Sequence, residues 1–226
     1  MSGHSHFAES VEEYLEAVYR LEREGDGVST GALASTLGVA PASVSGMLKK
    51  LAKDGFVEPV ARGTVKLTRD GLAVAVRVIR RHRIAECFLV DVLGMPWHEV
   101  HADACMLEHA ISTDVEAHLQ RLLKNPTRCP HGMPIPPSDL SDPVSRGEPL
   151  ARVESGAELT IVGVTEEVPE ILRYLAELDF KPGKRLRVIA RAPLGGPLTI
   201  SSSSGERAIS LELARMLLVE PAGAAG

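Results

Sequence analysis

The chain has 226 residues, of which 44% are hydrophobic, and a formal net charge of −5, so it can bury a sizeable core in one or two domains with room for a small third. The N-terminus lacks the basic and apolar segments of a signal peptide, and the longest apolar run, Leu72 to Val76, ends at Arg77, which predicts a cytoplasmic protein without a membrane segment. The net negative charge argues against a nucleic-acid binder that depends on positive charge over its whole surface.

The N-terminal third of the chain predicts helices followed by a hairpin. Over residues 10–23, apolar side chains recur at steps of three and four, as in an amphipathic helix. A second helix follows a polar cap at residues 29–30, and a third begins near Pro41. Two β-branched stretches, residues 56–60 and 64–67, then flank a turn. This order is typical of a winged helix-turn-helix.

The rest of the chain predicts a helical bundle and a small β domain. Helical patterns cover residues 70–93, 96–112 and 113–123. Residues 125–149 are rich in proline and lack a sustained periodicity, which indicates a partly ordered loop and a linker. From residue 151 onward, alternating apolar segments surround one short helix, which predicts a small β-barrel.

The third helix and the hairpin concentrate positive charge. Between Pro41 and Arg69, six Lys or Arg residues and two acidic residues leave a local charge of +4. The second helix of a helix-turn-helix enters the major groove, where small or polar N-terminal residues let the backbone approach the bases and later lysines meet phosphates. The candidate DNA contacts are Ala42, Ser43, Ser45, Gly46, Lys49, Lys50 and Arg62. The alternative is a solvated basic helix in a module that binds protein.

Two groups of metal-ligand side chains lie on consecutive predicted helices. At about 100° per residue, one stripe presents His101, Cys105, Glu108 and His109. The preceding helix carries His82 and Glu86 one turn apart. Facing side chains of this kind build the metal sites of helical bundles, so the two groups together predict a metal site.

The acidic face of the first helix and the scattered cysteines leave alternatives open. Glu9, Glu12, Glu13 and Glu16 are a third possible ligand set or an ordinary solvated face, and Glu12 and Glu13 point in different directions. Cys129 and His131 have ligand chemistry, but their proline-rich surroundings favour a rigid structural loop. Cys87 is expected to be a core thiol. Three cysteines at wide spacing also argue against a disulfide framework.

The sequence resembles the diphtheria-toxin-repressor family of iron- and manganese-dependent regulators over essentially the whole chain. The motifs that carry the resemblance are VEEYLEAVYRL at residues 11–21, RRHRIAECFL at 80–89, VHADACMLEHAIS at 100–112 and CPHGMPIP at 129–136. The resemblance implies a mainly α fold with small β elements. It places a winged helix-turn-helix at residues 1–73, a helical metal-binding and dimerisation domain at 74–143, a linker at 144–150 and a C-terminal SH3-like β-barrel at 151–222.

The resemblance also implies two metal positions. One would use His82, Glu86 and His101, with Glu167 or Glu170 of the SH3-like domain as a loosely aligned addition. The activating position would use Glu13, Cys105, Glu108 and His109. Glu13 replaces a methionine ligand of the iron-sensing branch, and Glu16 matches a carboxylate of the manganese-sensing branch, whereas Cys105 follows the iron branch. Carboxylates and imidazoles suit Mn²⁺ and Fe²⁺, so we expect Mn²⁺ first and Fe²⁺ close behind.

These residues predict a homodimeric repressor that binds double-stranded operator DNA when metal is bound and controls metal-homeostasis genes. A metalloenzyme is the main rival class, but the sequence offers no HExxH motif, nucleophile elbow or phosphate-binding glycine loop. A metal-buffering protein would not need the basic helix and hairpin. A thiol redox regulator lacks an evident resolving cysteine.

Overall fold

The computed structural model describes residues 9–23, 25, 27–60, 63–141 and 147–223, so the predicted DNA contact Arg62 lies outside the described residues. The chain divides into two compact units. The first contains residues 1–82, 108–111 and 136–142, and the second contains residues 83–107, 112–135 and 143–226. Two helices contribute residues to both units.

The helices of the first unit begin and end close to the predicted positions. They are α1 (Glu9–Glu22), α2 (Thr30–Leu37), α3 (Pro41–Lys53) and α4 (Arg69–Cys87), the last of which continues into the second unit. Ser29 caps α2, because its Oγ accepts the Ala32 N–H at 3.1 Å. Gly38 ends α2 with a φ of 65°, which glycine adopts without a steric penalty. Pro41 occupies the start of α3, where no intrahelical N–H is needed.

The apolar faces of these helices form one core. Leu15, Leu33 and Leu51 are completely buried and pack in the same cluster as Val18 and Val44. Burial of each large aliphatic side chain contributes about 1.5–3 kcal/mol. This core fixes α2 and α3 relative to each other and leaves the polar face of α3 exposed.

A three-stranded antiparallel sheet completes the winged helix-turn-helix. It contains β1 (Val28–Ser29), β2 (Val57–Pro59) and β3 (Thr64–Leu67) in the order β1-β3-β2. The Glu22 carboxylate accepts the Leu67 N–H at 2.8 Å, which ties the end of α1 to β3. Burial raises the pKa of Glu22, although the Leu67 N–H and the charge of Lys66 oppose the increase.

The helical part of the second unit contains the end of α4, a π-helical segment (Phe88–Val92), most of α5 (Val100–Ala110) and α6 (Thr113–Leu122). The sequence predicted a helix from residue 96, but residues 97–99 form a turn and α5 begins at Val100. Gly94, with a φ of 70°, and Pro96, which has no N–H, separate the two helices. Ser112 caps α6 by accepting the Val115 N–H at 3.2 Å.

Within the proline-rich segment, residues 127–135 form a loop closed by backbone hydrogen bonds. The Cys129 N–H donates to the Met133 carbonyl at 2.9 Å, and the Gly132 N–H donates to the Cys129 carbonyl at 2.8 Å. A small buried cluster contains Cys129 and Ile135 of this loop together with Ile84 and Cys87. The sequence did not predict these turns, because turns closed by backbone hydrogen bonds leave no apolar periodicity.

A six-stranded antiparallel sheet follows. Its strands are β4 (Glu148–Pro149), β5 (Glu158–Val164), β6 (Arg185–Arg191), β7 (Leu198–Ser202), β8 (Gly205–Ile209) and β9 (Leu217–Pro221), in the order β4-β9-β5-β6-β7-β8. A short 3₁₀ helix (Leu150–Arg152), α7 (Pro169–Glu177) and α8 (Leu211–Met216) accompany it. Ile161, Leu172 and Ile200 lie in its buried core. The sequence did not predict β8, α8 or β9, because β8 is largely exposed and β9 follows α8 without a turn.

The fold is mainly helical with two sheets, as predicted, while closure of the larger sheet into an SH3-like barrel stays a prediction. Among the described residues, no single helix is long and apolar enough to cross a membrane. Of these helices, α2 and α3 would be long and apolar enough only if they were taken together, and they are bent by 112° relative to each other.

Candidate metal centre

In the first unit, acidic residues of α1 lie beside the C-terminal end of α5. The Nδ1 atom of His109 lies 2.6 Å from Oε2 of Glu12, and its Nε2 atom lies 3.3 Å from Oε1 of Glu108. Glu12 is 6% exposed and Glu108 is 2% exposed. Carboxylates are rarely buried to this extent unless a hydrogen bond, a cation or a metal compensates for their lost hydration. The arrangement is therefore a candidate cation site.

His82 at the end of the first unit faces the same carboxylate. Its Nδ1 atom lies 2.6 Å from Oε2 of Glu108, and both side chains are buried. Burial raises the pKa of Glu108, while the hydrogen bond from His82 opposes the increase and the charge of Glu16 adds to it. Glu16 is 9% exposed and accepts a hydrogen bond from Arg20 at 2.7 Å. The predicted residues His82, Glu108, His109 and Glu16 thus share one neighbourhood.

The structure gives Glu12 and Glu13 different positions around His109. Glu12 forms the direct hydrogen bond, whereas Glu9, Glu13 and His109 present ligand atoms that lie within 4.8 Å of one another. Glu13 and Glu9 are exposed, so their carboxylates can move onto an ion at little cost. Burial would lower the pKa of His109, but the Glu12 hydrogen bond and the charges of Glu108, Glu12 and Glu9 outweigh it and raise the pKa.

The second unit brings together four ligand side chains from separate elements. Glu86, Cys129, His131 and Glu167 present ligand atoms within 4.8 Å of one another. The Nδ1 atom of His131 lies 3.0 Å from Oε1 of Glu86, and both side chains are fully buried. Burial would lower the pKa of His131. The pKa is nevertheless raised by the hydrogen bond and charge of Glu86, by the charge of Glu167 and by the Trp97 carbonyl. Carboxylate, imidazole and thiol donors at this spacing fit a transition-metal ion.

Burial raises the pKa of the two buried thiols of this unit, whereas it would lower the pKa of a histidine. It is the largest cause that raises the pKa of Cys129 well above its usual range, and nearby Glu86 and Glu167 add to the increase. Burial also raises the pKa of Cys87 to about 12. A thiolate at Cys129 therefore requires a compensating cation. The Sγ of Cys87 instead donates to the Arg128 carbonyl at 3.6 Å, as expected for a core thiol.

His101 lies on the other side of Glu167. Its Nδ1 atom is 2.9 Å from Oε2 of Glu167, and its Nε2 atom is 3.7 Å from the Sγ of Cys105. Hydrogen bonds that the protonated ring donates to Cys105 and Glu167 raise the pKa of His101 to about 10, against the lowering effect of burial. Glu86, His101 and Glu167 also lie within 4.8 Å of one another through their ligand atoms. Glu170, the other predicted carboxylate, is exposed in the first turn of α7.

The sequence favours a structural role for Cys129 and His131 because prolines surround them. In the structure, their buried side chains face two carboxylates, an arrangement that could also hold a metal ion. The spacing Cys-x-His was a signal for a ligand pair, but pairing it with Glu86 and Glu167 required the tertiary structure.

The candidate DNA contacts lie on α3. Ala42, Ser43, Ser45, Gly46, Lys49 and Lys50 are all exposed. Val44, Leu48 and Leu51 on the opposite face are buried, which fixes the rotation of the helix. A Cβ atom added at Gly46 would meet no atom within 4 Å. The exposed face therefore has room for close approach of a duplex.

Three family models match successive parts of the chain. The N-terminal DNA binding domain of iron dependent repressors matches residues 6–65, and the metal binding and dimerisation domain of the same repressors matches residues 68–137. The FeoA domain matches residues 148–221. Together with the helix-turn-helix and the ligand clusters, these matches define a DNA-binding transcriptional regulator that depends on metal, not an enzyme.

Full-length relatives agree with this assignment. The "Iron-dependent repressor IdeR" of Mycobacterium leprae is 33% identical over 224 residues, which covers 94% of this chain and 97% of the relative. A solved structure described as "Manganese-dependent transcriptional repressor complex with manganese" has a TM-score of 0.86 and 34% identity, and the match covers 93% of this chain and 99% of that one. "ScaR with bound Zn2+" has a TM-score of 0.83 at 26% identity, with 93% and 99% covered. The chain belongs to the diphtheria-toxin-repressor family of metal-dependent transcriptional repressors.

Proposed function

We propose that this protein is a homodimeric repressor that binds operator DNA of metal-homeostasis genes when Mn²⁺, or in second place Fe²⁺, is bound. The observation that carries the proposal is the proximity of Glu13 on α1 to His109 on α5, whose ligand atoms lie within 4.8 Å. An ion held by both would join α1, the first helix of the DNA-binding domain, to α5. A cytoplasmic location fits this role.

The activating position uses Glu13, Cys105, Glu108 and His109, with Glu16 as an additional carboxylate. In the absence of an ion, the Glu12 carboxylate favours the protonated form of His109, because it raises the pKa of the imidazole. Glu13 and His109 would hold a divalent ion in place of this proton. Such a link would narrow the range of α1 positions and favour one arrangement of α3.

The dimer makes this local change relevant to DNA. Two recognition helices that read one operator have to lie about 34 Å apart, one helical repeat of B-DNA. Metal binding favours this spacing by restricting each DNA-binding domain. Contacts to DNA come from Ala42, Ser43, Ser45, Gly46, Lys49 and Lys50 on α3, and from Arg62 in the wing.

The second metal position uses His82, Glu86 and His101 with Glu167, and the structure favours Glu167 over Glu170 because only Glu167 lies beside His101. Mn²⁺ is our first choice of ion because the first-unit donors are carboxylates and imidazoles, and Glu13 replaces a thioether. Fe²⁺ stays close behind, since the IdeR relative is described as iron-dependent and Cys105 adds a thiol. The proposed domains are the winged helix-turn-helix at residues 1–73, the helical metal-binding and dimerisation domain at 74–143, the linker at 144–150 and the SH3-like domain at 151–222.

The test is fluorescence anisotropy with genomic promoter fragments, using apo protein and protein with Mn²⁺ or anaerobic Fe²⁺ at fixed salt. We expect either ion to raise DNA affinity, and because the affinity of a given site rises from Mn²⁺ to Fe²⁺, cellular selection between them depends on availability and geometry. Glu13→Ala should lose most of this increase, whereas Glu154→Ala, which removes an exposed carboxylate of the second unit, should retain it. Equal DNA affinity with and without metal would overturn the proposal.

A further inference from the structure

The turn before β6 and the strand itself carry five basic residues and no acidic one between positions 181 and 191. Lys184 pairs with an aspartate at 2.8 Å, and Arg191 donates to two backbone carbonyls. Neither Arg185 nor Arg187 forms an ion pair or a side-chain hydrogen bond with another residue that the structure describes. The guanidinium groups of these two arginines are therefore available to a ligand.

The pleat of the sheet places Arg185 and Arg187 on the same face. Alternate residues of a strand point to one side, and both arginines are exposed, whereas Leu186 between them is 4% exposed. In the antiparallel register, Arg187 lies opposite Glu158 of β5 and opposite Ser201 of β7. Directly opposed residues have Cβ atoms about 4.5–5.5 Å apart. A carboxylate, a guanidinium and a hydroxyl therefore lie side by side across three strands.

These side chains line a cavity of about 330 Å³ on the side of the sheet that faces away from its core. Glu158, Arg185, Arg187 and Ser201 contribute to its wall, together with residues 202–203 at the end of β7. All of them belong to the second unit. Ligand pockets in proteins measure about 300–1,000 Å³, so this cavity suits a small metabolite rather than a large cofactor.

The Ser201 hydroxyl adds a donor to the two guanidinium groups. Its Oγ atom has no side-chain hydrogen-bond partner within the described part of the chain. The hydroxyls of Ser202 and Ser203 instead contact Ser204 at 2.9 Å and Asp179 at 3.3 Å. Two guanidinium groups and one hydroxyl match the three terminal oxygens of a phosphate group better than the two oxygens of a carboxylate. The donor set therefore favours a phosphate, whose charge also balances the two unpaired cations.

Glu158 determines what else the ligand carries. Its exposed carboxylate lines the same cavity, so it repels a bare phosphate ion. A carboxylate also accepts hydrogen bonds from hydroxyl groups, as acidic residues do with the ribose of a bound nucleotide. A ligand that has both a phosphate and hydroxyl groups therefore satisfies the arginines and the glutamate together.

We propose that this cavity binds a phosphorylated polyhydroxy compound of about the size of a pentose phosphate. Arg185, Arg187 and Ser201 donate hydrogen bonds to the phosphate oxygens, and the planar guanidinium groups suit paired contacts to them. Glu158 accepts a hydrogen bond from a hydroxyl group of the ligand. The site goes beyond the proposed function, because it requires neither metal nor DNA, and it gives the C-terminal sheet a ligand of its own.

Isothermal titration calorimetry of the full chain tests the site with ribose 5-phosphate, inorganic phosphate and free ribose at fixed ionic strength. The chain is first passed over a chelating resin, because divalent ions bind phosphate themselves. We expect one ribose 5-phosphate per chain with a dissociation constant below about 1 mM. Inorganic phosphate should bind about fivefold more weakly, since it lacks the hydroxyl that Glu158 accepts. Free ribose should not bind, because it has no charge for the arginines.

Substitutions separate the cavity from general attraction of anions. Arg185→Ala and Arg187→Ala should each weaken ribose 5-phosphate binding about tenfold. Arg173→Ala removes an exposed arginine of α7 outside the cavity, so this matched control should leave the affinity unchanged. Glu158→Ala should have opposite effects on the two phosphates. Inorganic phosphate should bind more tightly because a repulsive charge is gone, while ribose 5-phosphate loses its advantage over it.

Thermal melting establishes that each variant is folded before it is titrated. Arg187→Lys keeps the charge but not the planar fork, so it should bind ribose 5-phosphate more weakly than wild type and more tightly than Arg187→Ala. Absence of saturable ribose 5-phosphate binding overturns the proposal, as does equal weakening by Arg173→Ala and Arg187→Ala. Loss of DNA affinity in Arg187→Ala, in a chain that binds no ribose 5-phosphate, would assign the arginines to the DNA backbone instead.

Discussion

His131 and Trp97 are joined through the ring nitrogen that does not face the carboxylates. The Nε2–H of His131 donates to the Trp97 carbonyl at 2.8 Å, so its Nδ1 atom faces Glu86. The two rings also lie 5.3 Å apart, and Trp97 is 8% exposed. A backbone carbonyl that holds one imidazole nitrogen determines which nitrogen is presented to a metal. Trp97 is therefore a positioning residue for the second-unit site.

We expect Trp97→Ala to destabilise the second unit by about 3–5 kcal/mol, the range for loss of a large buried aromatic side chain. Its metal affinity should also fall, because the His131 ring loses a packing partner. Both variants keep the backbone carbonyl, but Trp97→Phe also keeps most of the apolar contact, so both effects should be smaller. Urea denaturation and Co²⁺ titration measure them. Lys181→Ala, which removes a cation 5.4 Å from the centre of the Trp97 ring, is the matched control and should cost about 0.5–1 kcal/mol.

Gly132 allows the loop that carries Cys129 and His131 to pack against β5. The Val164 N–H donates to the His131 carbonyl at 2.9 Å, and a Cβ atom at Gly132 would lie 2.1 Å from the Val162 carbonyl oxygen. Gly132 also has a φ of 82°. We expect Gly132→Ala to displace the loop, costing more than about 3 kcal/mol of stability and most second-unit metal affinity, as measured by thermal melting and Co²⁺ titration.

Gly183 is the control that separates backbone strain from the close approach to β5 at Gly132. It has a φ of 87°, but an added Cβ would meet no atom within 4 Å. Gly183→Ala should therefore cost only the intrinsic penalty of the left-handed conformation, about 1–2 kcal/mol, and leave metal affinity unchanged. Equal effects of the two alanines would mean that the close approach to β5 does not matter.

The sequence predicted the parts of this fold that have a strong local pattern. The helix around Leu15 and the Pro41 start of α3 follow from apolar spacing and capping preferences. The continuous apolar run Leu217 to Val219 does not distinguish a strand from a buried helix, and β9 was missed. Its pairing with β5 depends on residues about sixty positions earlier in the chain, which local pattern cannot report.

In the candidate site, too, contacts between residues close in the sequence could be predicted, and contacts between distant residues could not. His101 and Cys105 are one turn apart on α5, so their proximity is visible in the sequence. The neighbours of His131 are not, because Glu86 and Glu167 come from α4 and from the segment before α7. The choice between Glu12 and Glu13 was also open, since the rotation of α1 about its axis depends on packing against the first-unit core.

The raised pKa of His109 predicts a pH dependence of metal binding. The imidazole gains Glu12 as a partner on folding, so the stability it contributes is fully present below its unfolded pKa of about 6.5. That stability is lost as the pH rises through the higher folded value. Metal has to displace the proton, so first-unit affinity should increase with pH up to that folded value, and binding below that value should release a proton.

Calorimetry in buffers of different ionisation enthalpy measures the proton release. Glu12→Gln removes the negative charge that stabilises the His109 proton, so it should lower the His109 pKa and reduce the protons released below the wild-type value. Glu22→Gln changes an acid at the other end of α1 and should have no such effect. Proton release that is the same in wild type and Glu12→Gln would show that Glu12 does not control the titration of His109.

The exposed lysines of α3 predict a salt dependence of DNA binding. If Lys49 contacts a phosphate, Lys49→Ala should weaken binding similarly on all DNA sequences and reduce the slope of log affinity against log salt by about 1. Lys50→Ala is expected to behave in the same way. Arg173→Ala, at an exposed position of α7, is the control and should leave the slope unchanged. A Lys49→Ala protein with the wild-type slope would place Lys49 away from the phosphates.

Gly46 separates the requirements of folding from those of DNA recognition. It lies inside α3 and is exposed, and a Cβ atom there would meet no protein atom within 4 Å. Because glycine is a poor helix former, Gly46→Ala should stabilise the first unit by about 0.5–1 kcal/mol. The same methyl group occupies space that a base edge or sugar would fill, so metal-activated DNA affinity should fall even as the melting temperature rises. A stabilised variant with full DNA affinity would mean that this turn of α3 does not approach the duplex.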